Sequence, residues 1–307
     1  MTDCVVGEFS YIRVAEIKHF TISPGTVWIR EPGRFNFLYR HSPVKLHAYI
    51  HFEPGIRPMG QLIDFMEDRK EAFHELFNRV EGTPSVPIPD TASLDRFAVI
   101  KPRTHIGENV LVSQRAFLQN AWLGEGANAQ ENCYIIDSRL GGYNVTAHGA
   151  KIIGTDLGPN TYVGFNSFLR GRPGCRLTIG SENIILPHTI IDIDASMAIP
   201  PGRLVWGAIF GPEDLETHSM PLQEFSEIDG ACSRGGMFFE GKGSLFVAEW
   251  RNRALHTLAA NGAFYDGGNE KGHAQKNQNI SFNTIQPYPD GHSAGICPTI
   301  IIRQAEL

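Results

Sequence analysis

Residues 100–157 read IKPRTHIGENVLVSQRAFLQNAWLGEGANAQENCYIIDSRLGGYNVTAHGAKIIGTDL, and this stretch decides the fold. One apolar position recurs at Ile100, Ile106, Val112, Leu118, Leu123, Ala129, Ile135, Leu140, Thr146, Ile152 and Leu157. It continues through Val163 and Leu169, skips ten residues, and resumes at Ile179, Ile185, Ile191 and Met197. Sixteen of these seventeen positions are apolar in a chain that is 42% apolar. The period is neither that of a strand nor that of a helix. A step of about six, with a small residue four positions after many of the markers, fits a chain coiled into a triangular prism. Such a coil places one short strand on each side, stacks the aliphatics inside, and pairs successive turns at ~4.8 Å. The five-residue steps begin at Leu118, Ile135 and Ile152, seventeen residues apart, so each shortens the same corner in consecutive coils. Trp122, Arg139 and Asp156, which break the small-residue rule, fall at that corner.

Outside the repeat the patterns are of other kinds. Thr26–Tyr39 and Val44–Phe52 read as strands, the second by the alternation of Leu46, Ala48, Ile50 and Phe52 with polar residues. Met59 to Val80 carries apolar residues at helical spacing, and Gly82–Asp90, with three prolines, reads as a linker. Beyond about residue 212 the pattern gives a helix near Ser244–Ala260, a Gly/Asn-rich stretch and a final strand at Thr299–Ile302. The expected organisation is an N-terminal α+β domain and linker over 1–90, a β-helix over 98–211 and a C-terminal α/β extension over 212–307.

The 307 residues carry 27 Lys+Arg against 33 Asp+Glu, a net charge of -6, with no basic block of the kind that neutralises phosphate backbones. Nucleic acid is therefore not the expected partner, and a small molecule is. No run of eighteen apolar residues spans a bilayer, and the N-terminal sequence lacks the order of a secretory signal. A cytoplasmic protein without membrane attachment is expected. The five cysteines are an odd number, far apart and without C-x-x-C spacing, so reduced thiols are expected in place of disulfides or a zinc knuckle.

The stretches IGENVL, LGEGAN, LGPNTY, VGFNSF and IGSENI resemble the hexapeptide-repeat motif of left-handed parallel β-helix proteins, and IPPGRLVWG (Ile199–Gly207) resembles the exit from that helix. This resemblance covers about 110 residues. It implies a mainly β protein and a homotrimer with sites between neighbouring prisms. It also implies an acyltransferase that takes acyl-CoA as cosubstrate and acts on an amino or hydroxyl group of a small metabolite. Within Asn128–Gly171 the chain is locally most similar to a second branch of the family, the gamma-class carbonic anhydrases, through Asn128-Ala-Gln130-Glu-Asn132 and Ala147-His148-Gly149-Ala150. Zinc in that branch needs three histidines, whereas Ile136 and Ile153 stand where the other two belong, so no metal is expected. The alternative reading is a carbonic-anhydrase-like protein without the full zinc site that binds a ligand or acts as a scaffold.

The candidate catalytic groups follow from the coil. His148 lies two positions after the inward Thr146 and points outwards, with Glu131 one coil away in the same column. A carboxylate so placed orients an imidazole and makes it a general base. Asn166, in the adjoining column, is the candidate donor to a tetrahedral oxyanion. Arg170, Arg172 and Arg176, in the loop that interrupts the repeat, are the candidate contacts for coenzyme A phosphates. Asp192 and Asp194 share an outward face with His188 nearby and are expected to be exposed decoration. Gly236–Ser244 approaches a phosphate-binding loop but has Gly243 where the metal-binding hydroxyl belongs, and it is rejected. The N-terminal residues lack a glycine-rich entry, which leaves no dinucleotide or nucleotidyltransferase domain.

Overall fold

The computed structural model describes residues 1–47, 86–95 and 97–276. The helix expected over Met59–Val80 and the strand expected over Thr299–Ile302 lie outside the described residues. The repeat forms a parallel β-helix with three walls, of seven, six and eight strands. The first wall runs from Val99–Ile100 through Phe117–Gln119, Tyr134–Ile136, Lys151–Ile153, Phe168–Arg170 and Ile190–Asp192 to Ala208–Ile209. The second begins at His105–Ile106 and ends at Met197–Ile199. The third begins at Ser93–Leu94, passes through Asn128–Ala129 and Val145–Thr146, and closes on the antiparallel strand Ser219–Pro221.

The register is the one the markers require. Leu118 pairs with Ile135, Ile135 with Ile152, and Ile152 with Leu169, all in parallel and all fully buried. The tight corner is also where the five-residue steps put it: Asn120, Asp137 and Gly154 hold left-handed conformations there with φ of 47°, 51° and 57°. Asn, Asp and Gly tolerate that region better than other residues, which keeps the corner inexpensive. Trp122, Arg139 and Asp156 follow it in one outward ladder, with the Arg139 guanidinium 4.9 Å from the Trp122 ring centre.

Thr146 is the one polar marker, and its side chain points into the dry interior between Ala129 and Val163. Its hydroxyl is buried with no hydrogen-bond partner among the described residues. A buried orphan hydroxyl costs about 1–3 kcal/mol, and valine has nearly the same shape. Thr146→Val is expected to stabilise the protein by about 1 kcal/mol, read as a higher urea midpoint at unchanged slope.

The flanks differ from the expected strands and share one sheet. Thr26–Tyr39 is a hairpin, Thr26–Glu31 and Phe35–Arg40, turning at Gly33 with φ of 73°. Val44–Phe52 is not a strand where it is described: Pro43–His47 is helical, because alternation over so short a run does not outweigh tertiary packing. The hairpin joins the strands Met237–Lys242 and Asp229–Arg234 in a five-stranded sheet, so segments from before and after the repeat build one unit. The long helix Gly243–Asn261 covers it, burying Phe246 and Trp250 against Phe35, Phe37, Phe225 and Phe239. The same apolar cluster includes Tyr162, Ile184, Leu204 and Trp206 on the outside of the third wall, which fixes the unit on the prism. Gly236–Ser244 is the antiparallel strand Met237–Lys242 running straight into that helix, not a phosphate-binding loop.

Residues before the hairpin make a further coil. Thr2 pairs in parallel with Lys18, Val5 with Thr21, and Tyr11 with Val27, at a constant offset of sixteen. Asp3 and Phe9 on one turn, and His19 and Gly25 on the next, take positive φ at matching positions.

Candidate active site

Between the third and first walls the chain turns through one column of residues, Gln114, Glu131, His148 and Phe165, one per coil. Backbone bonds set their spacing: Asn132 N–H donates to the Gln114 carbonyl at 3.2 Å, Gly149 N–H to Glu131 at 2.9 Å, and Asn166 N–H to His148 at 3.0 Å. The next residue in each coil, Arg115, Asn132, Gly149 and Asn166, takes the left-handed conformation that makes the corner. Gly149 is needed there for close approach as well, since a Cβ would lie 2.2 Å from Asn166 Oδ1.

Glu131 and His148 are brought together as the coil predicts. The imidazole Nδ1 lies 3.1 Å from Glu131 Oε2, with the two side chains 49% and 36% exposed. With Nδ1 turned toward the carboxylate, the neutral tautomer that carries its proton there would leave the Nε2 lone pair on the opposite side of the ring. On its other side the imidazole stacks on Phe165, with centroids 5.3 Å apart and planes at 16°. The ring thus lies between a carboxylate and an aromatic face and remains half exposed to water.

The pair lines an open cleft of about 370 Å³ bounded on one side by the C-terminal unit. His256, Thr257 and Asn261 from the long helix and His273 from the short helix His273–Lys276 form the opposite side. Asn261 donates to Asn128 Oδ1, and Gln275 donates to the carbonyls of Thr91 at 2.8 Å and Gly262 at 3.1 Å, which anchors both helices to the prism. Asp95 faces His273 at 3.3 Å, a second histidine–carboxylate pair in the same cleft. These C-terminal residues had no signal in the sequence beyond the helix expected near Ser244–Ala260.

The other candidates go elsewhere. Asn166 does not line the cleft; its amide donates to His188 Nε2 at 3.4 Å. Arg170 forms a two-point pair with Asp192 at 2.8 and 2.5 Å, Arg172 joins the same carboxylate at 3.0 Å, and Arg176 pairs with Asp156 at 2.7 and 2.5 Å. All three arginines lie at the next corner, across the first wall from His148. Asp192 is outward-facing but not exposed decoration: its side chain is 1% accessible beneath the two arginines. His188 is likewise buried, because the N-terminal coil lays Phe9 on it at 4.5 Å. Ile136 and Ile153 are register partners in an apolar cluster with Phe117 and Tyr134.

Three buried groups support the corner from behind. Lys151, two strand positions past Gly149, donates its ammonium to the Gly149 carbonyl at 2.5 Å, and burial lowers its pKa to about 8. His188 donates Nδ1–H to the Phe9 carbonyl at 3.1 Å, and His41 donates Nε2–H to the His188 carbonyl at 2.9 Å. Burial drives both imidazoles toward the neutral form, to about 4 for His188 and about 3 for His41. The four cysteines among the described residues are free thiols.

A prism of this kind, built on six-residue steps, defines the class of fold: a parallel β-helix of hexapeptide-repeat type. The family model described as "Hexapeptide repeat including loop" matches residues 1–54, the part that contains the N-terminal coil. A crystal structure of a Desulfovibrio desulfuricans G20 protein, named as a presumptive acetyltransferase, is 46% identical over 94% of this chain with a TM-score of 0.83. The chain spans 60% of that protein's length. A hexapeptide transferase family protein from Anaplasma phagocytophilum is 14% identical, covering 54% of this chain and 92% of its own, with a TM-score of 0.31. A perosamine N-acetyltransferase variant from Caulobacter crescentus, in complex with CoA and GDP-perosamine, is 20% identical, covering 38% of this chain and 54% of its own, with a TM-score of 0.20. Neither of these two bears on the site. No curated protein matches the chain. Among the described residues no helix is long and apolar enough to cross a membrane.

Proposed function

We propose that this protein is an acyl-CoA-dependent acyltransferase that acylates an amine or hydroxyl of a small metabolite, working as a trimer of prisms. The observation that carries the reading is the Glu131–His148 pair, 3.1 Å apart at the wall of a cleft. The acceptor's N–H or O–H gives its proton to His148 Nε2 as its heteroatom attacks the thioester carbonyl. The tetrahedral intermediate then collapses with loss of the coenzyme A thiolate, which takes the proton back from the imidazolium. Glu131 steadies the imidazolium between the two transfers. The likeness to a protein named as an acetyltransferase supports the same reaction class.

The arginines at the neighbouring corner are already matched by carboxylates and are not needed in this account. A panel of acyl-CoA thioesters is the direct test of the cosubstrate. At a hundredfold excess over its dissociation constant, the right thioester raises stability by about 2.7 kcal/mol, seen as a higher melting temperature. A flat melting temperature across acetyl, succinyl and longer-chain thioesters would remove acyl-CoA from the mechanism.

A further inference from the structure

Arg253 stands on the long helix three residues before His256 and four before Thr257, so it shares the face that lines the cleft. Its guanidinium carbon lies 5.8 Å from the centre of the Phe165 ring, the ring on which His148 stacks. Phe165 is therefore common ground between the proposed base and this cation. Two phenol rings complete the surroundings: Tyr11 stacks on Phe165 at 5.7 Å, and the buried Tyr162 holds its hydroxyl beside Arg253.

The charge at this point is not balanced. Arg13 lies within electrostatic reach of both tyrosines, but Glu249 answers it at 2.6 Å. No carboxylate pairs with Arg253 among the described residues. Arg13 in turn keeps Nη1 buried with no hydrogen-bond partner among the described residues. A buried guanidinium N–H without an acceptor is costly, and acceptor oxygens of a ligand would relieve it; among the described residues the Arg253 charge is answered only by the neutral Tyr162 hydroxyl. Carboxylate and phosphate are the groups whose geometry matches such forks.

We propose that Arg253, with Arg13 Nη1 and the hydroxyls of Tyr11 and Tyr162, forms an anion subsite at the edge of the His148 cleft and holds a carboxylate or phosphate of the substrate. This deepens the acyltransferase reading and rests on it for the word substrate; the anion site itself stands on its own geometry. An anion gripped there lies on one side of Phe165 while the nucleophile meets the imidazole on the other, so the subsite selects acidic molecules.

Calorimetric titration with inorganic phosphate tests this without any turnover. The parental full-length chain binds phosphate, and Arg253→Gln weakens it at least tenfold, whereas Arg139→Gln, whose cation sits over Trp122 on another corner, binds as the parent does. Coenzyme A is the second probe. If Arg253→Gln loses phosphate but keeps coenzyme A, the anion belongs to the acceptor; if it loses both, the anion belongs to the cosubstrate; either supports the subsite. Equal phosphate binding by parent and Arg253→Gln, or none by the parent, overturns it. Protection of the unaltered protein against phenylglyoxal gives the same answer without a variant: phosphate must slow modification of Arg253, and an unchanged rate overturns the subsite. If phosphate binds as expected while no thioester is ever turned over, the acyltransferase reading fails and the anion site remains.

Discussion

His148→Ala is expected to lower acyl transfer from the preferred thioester by about 10²–10⁴-fold, mostly in kcat, the usual contribution of a positioned general base. The side chain is half exposed and stacked on one ring, so its removal opens a slot beside Phe165 without unfolding the coil. Free imidazole fits that slot and is expected to restore part of the rate in proportion to its concentration. A structural role for His148 would give no such rescue. Transfer at the parental rate in His148→Ala would end the base assignment.

Acid is expected to weaken the attachment of the N-terminal coil to the prism. His41 and His188 are buried and neutral at about 3 and about 4, against 6.5 in an open chain. Between pH 6.5 and 4 the unfolded chain binds protons that the folded one refuses, so stability is full above about 6.5 and falls as pH drops. At pH 5 the loss is about 2 kcal/mol for each histidine, from 1.36 kcal/mol per unit. Of the groups facing the pair, Lys151 and His218 disfavour a further positive charge, while the Phe9 and His188 carbonyls that accept from the two rings offset only part of the effect of burial. Urea midpoints at pH 7 and pH 5 check this, and His188→Gln is expected to flatten the difference. Equal midpoints in the parent would contradict the burial argument.

The prism was legible because a three-sided coil forces one residue class into every sixth place, and seventeen-residue turns bring Glu131 beside His148 by arithmetic. The tight corner at Asn120, Asp137 and Gly154 followed from the same count. The flanks were not legible. Phe35–Arg40 pairs with Met237–Lys242, and nothing local in either strand names a partner so distant in the chain. The N-terminal coil has only two turns at an offset of sixteen, too few for a period to stand out. Asp192 and His188 were read correctly as outward and wrongly as exposed, since a repeat tells which way a side chain points but not what is packed on it. The cleft residues His256 and His273 come from the C-terminal unit, whose docking on the third wall depends on Phe246, Trp250 and their neighbours.

Glu131 is a positioning residue in this account, and a double-mutant cycle with His148 tests that claim most directly. Glu131→Gln alone is expected to slow transfer roughly fivefold, the scale of about 1 kcal/mol for a half-exposed pair. In the His148→Ala background the same change is expected to cost nothing, because there is no imidazole left to orient. Equal losses in both backgrounds would show that the two side chains act independently and would contradict the pair as the working centre of the protein.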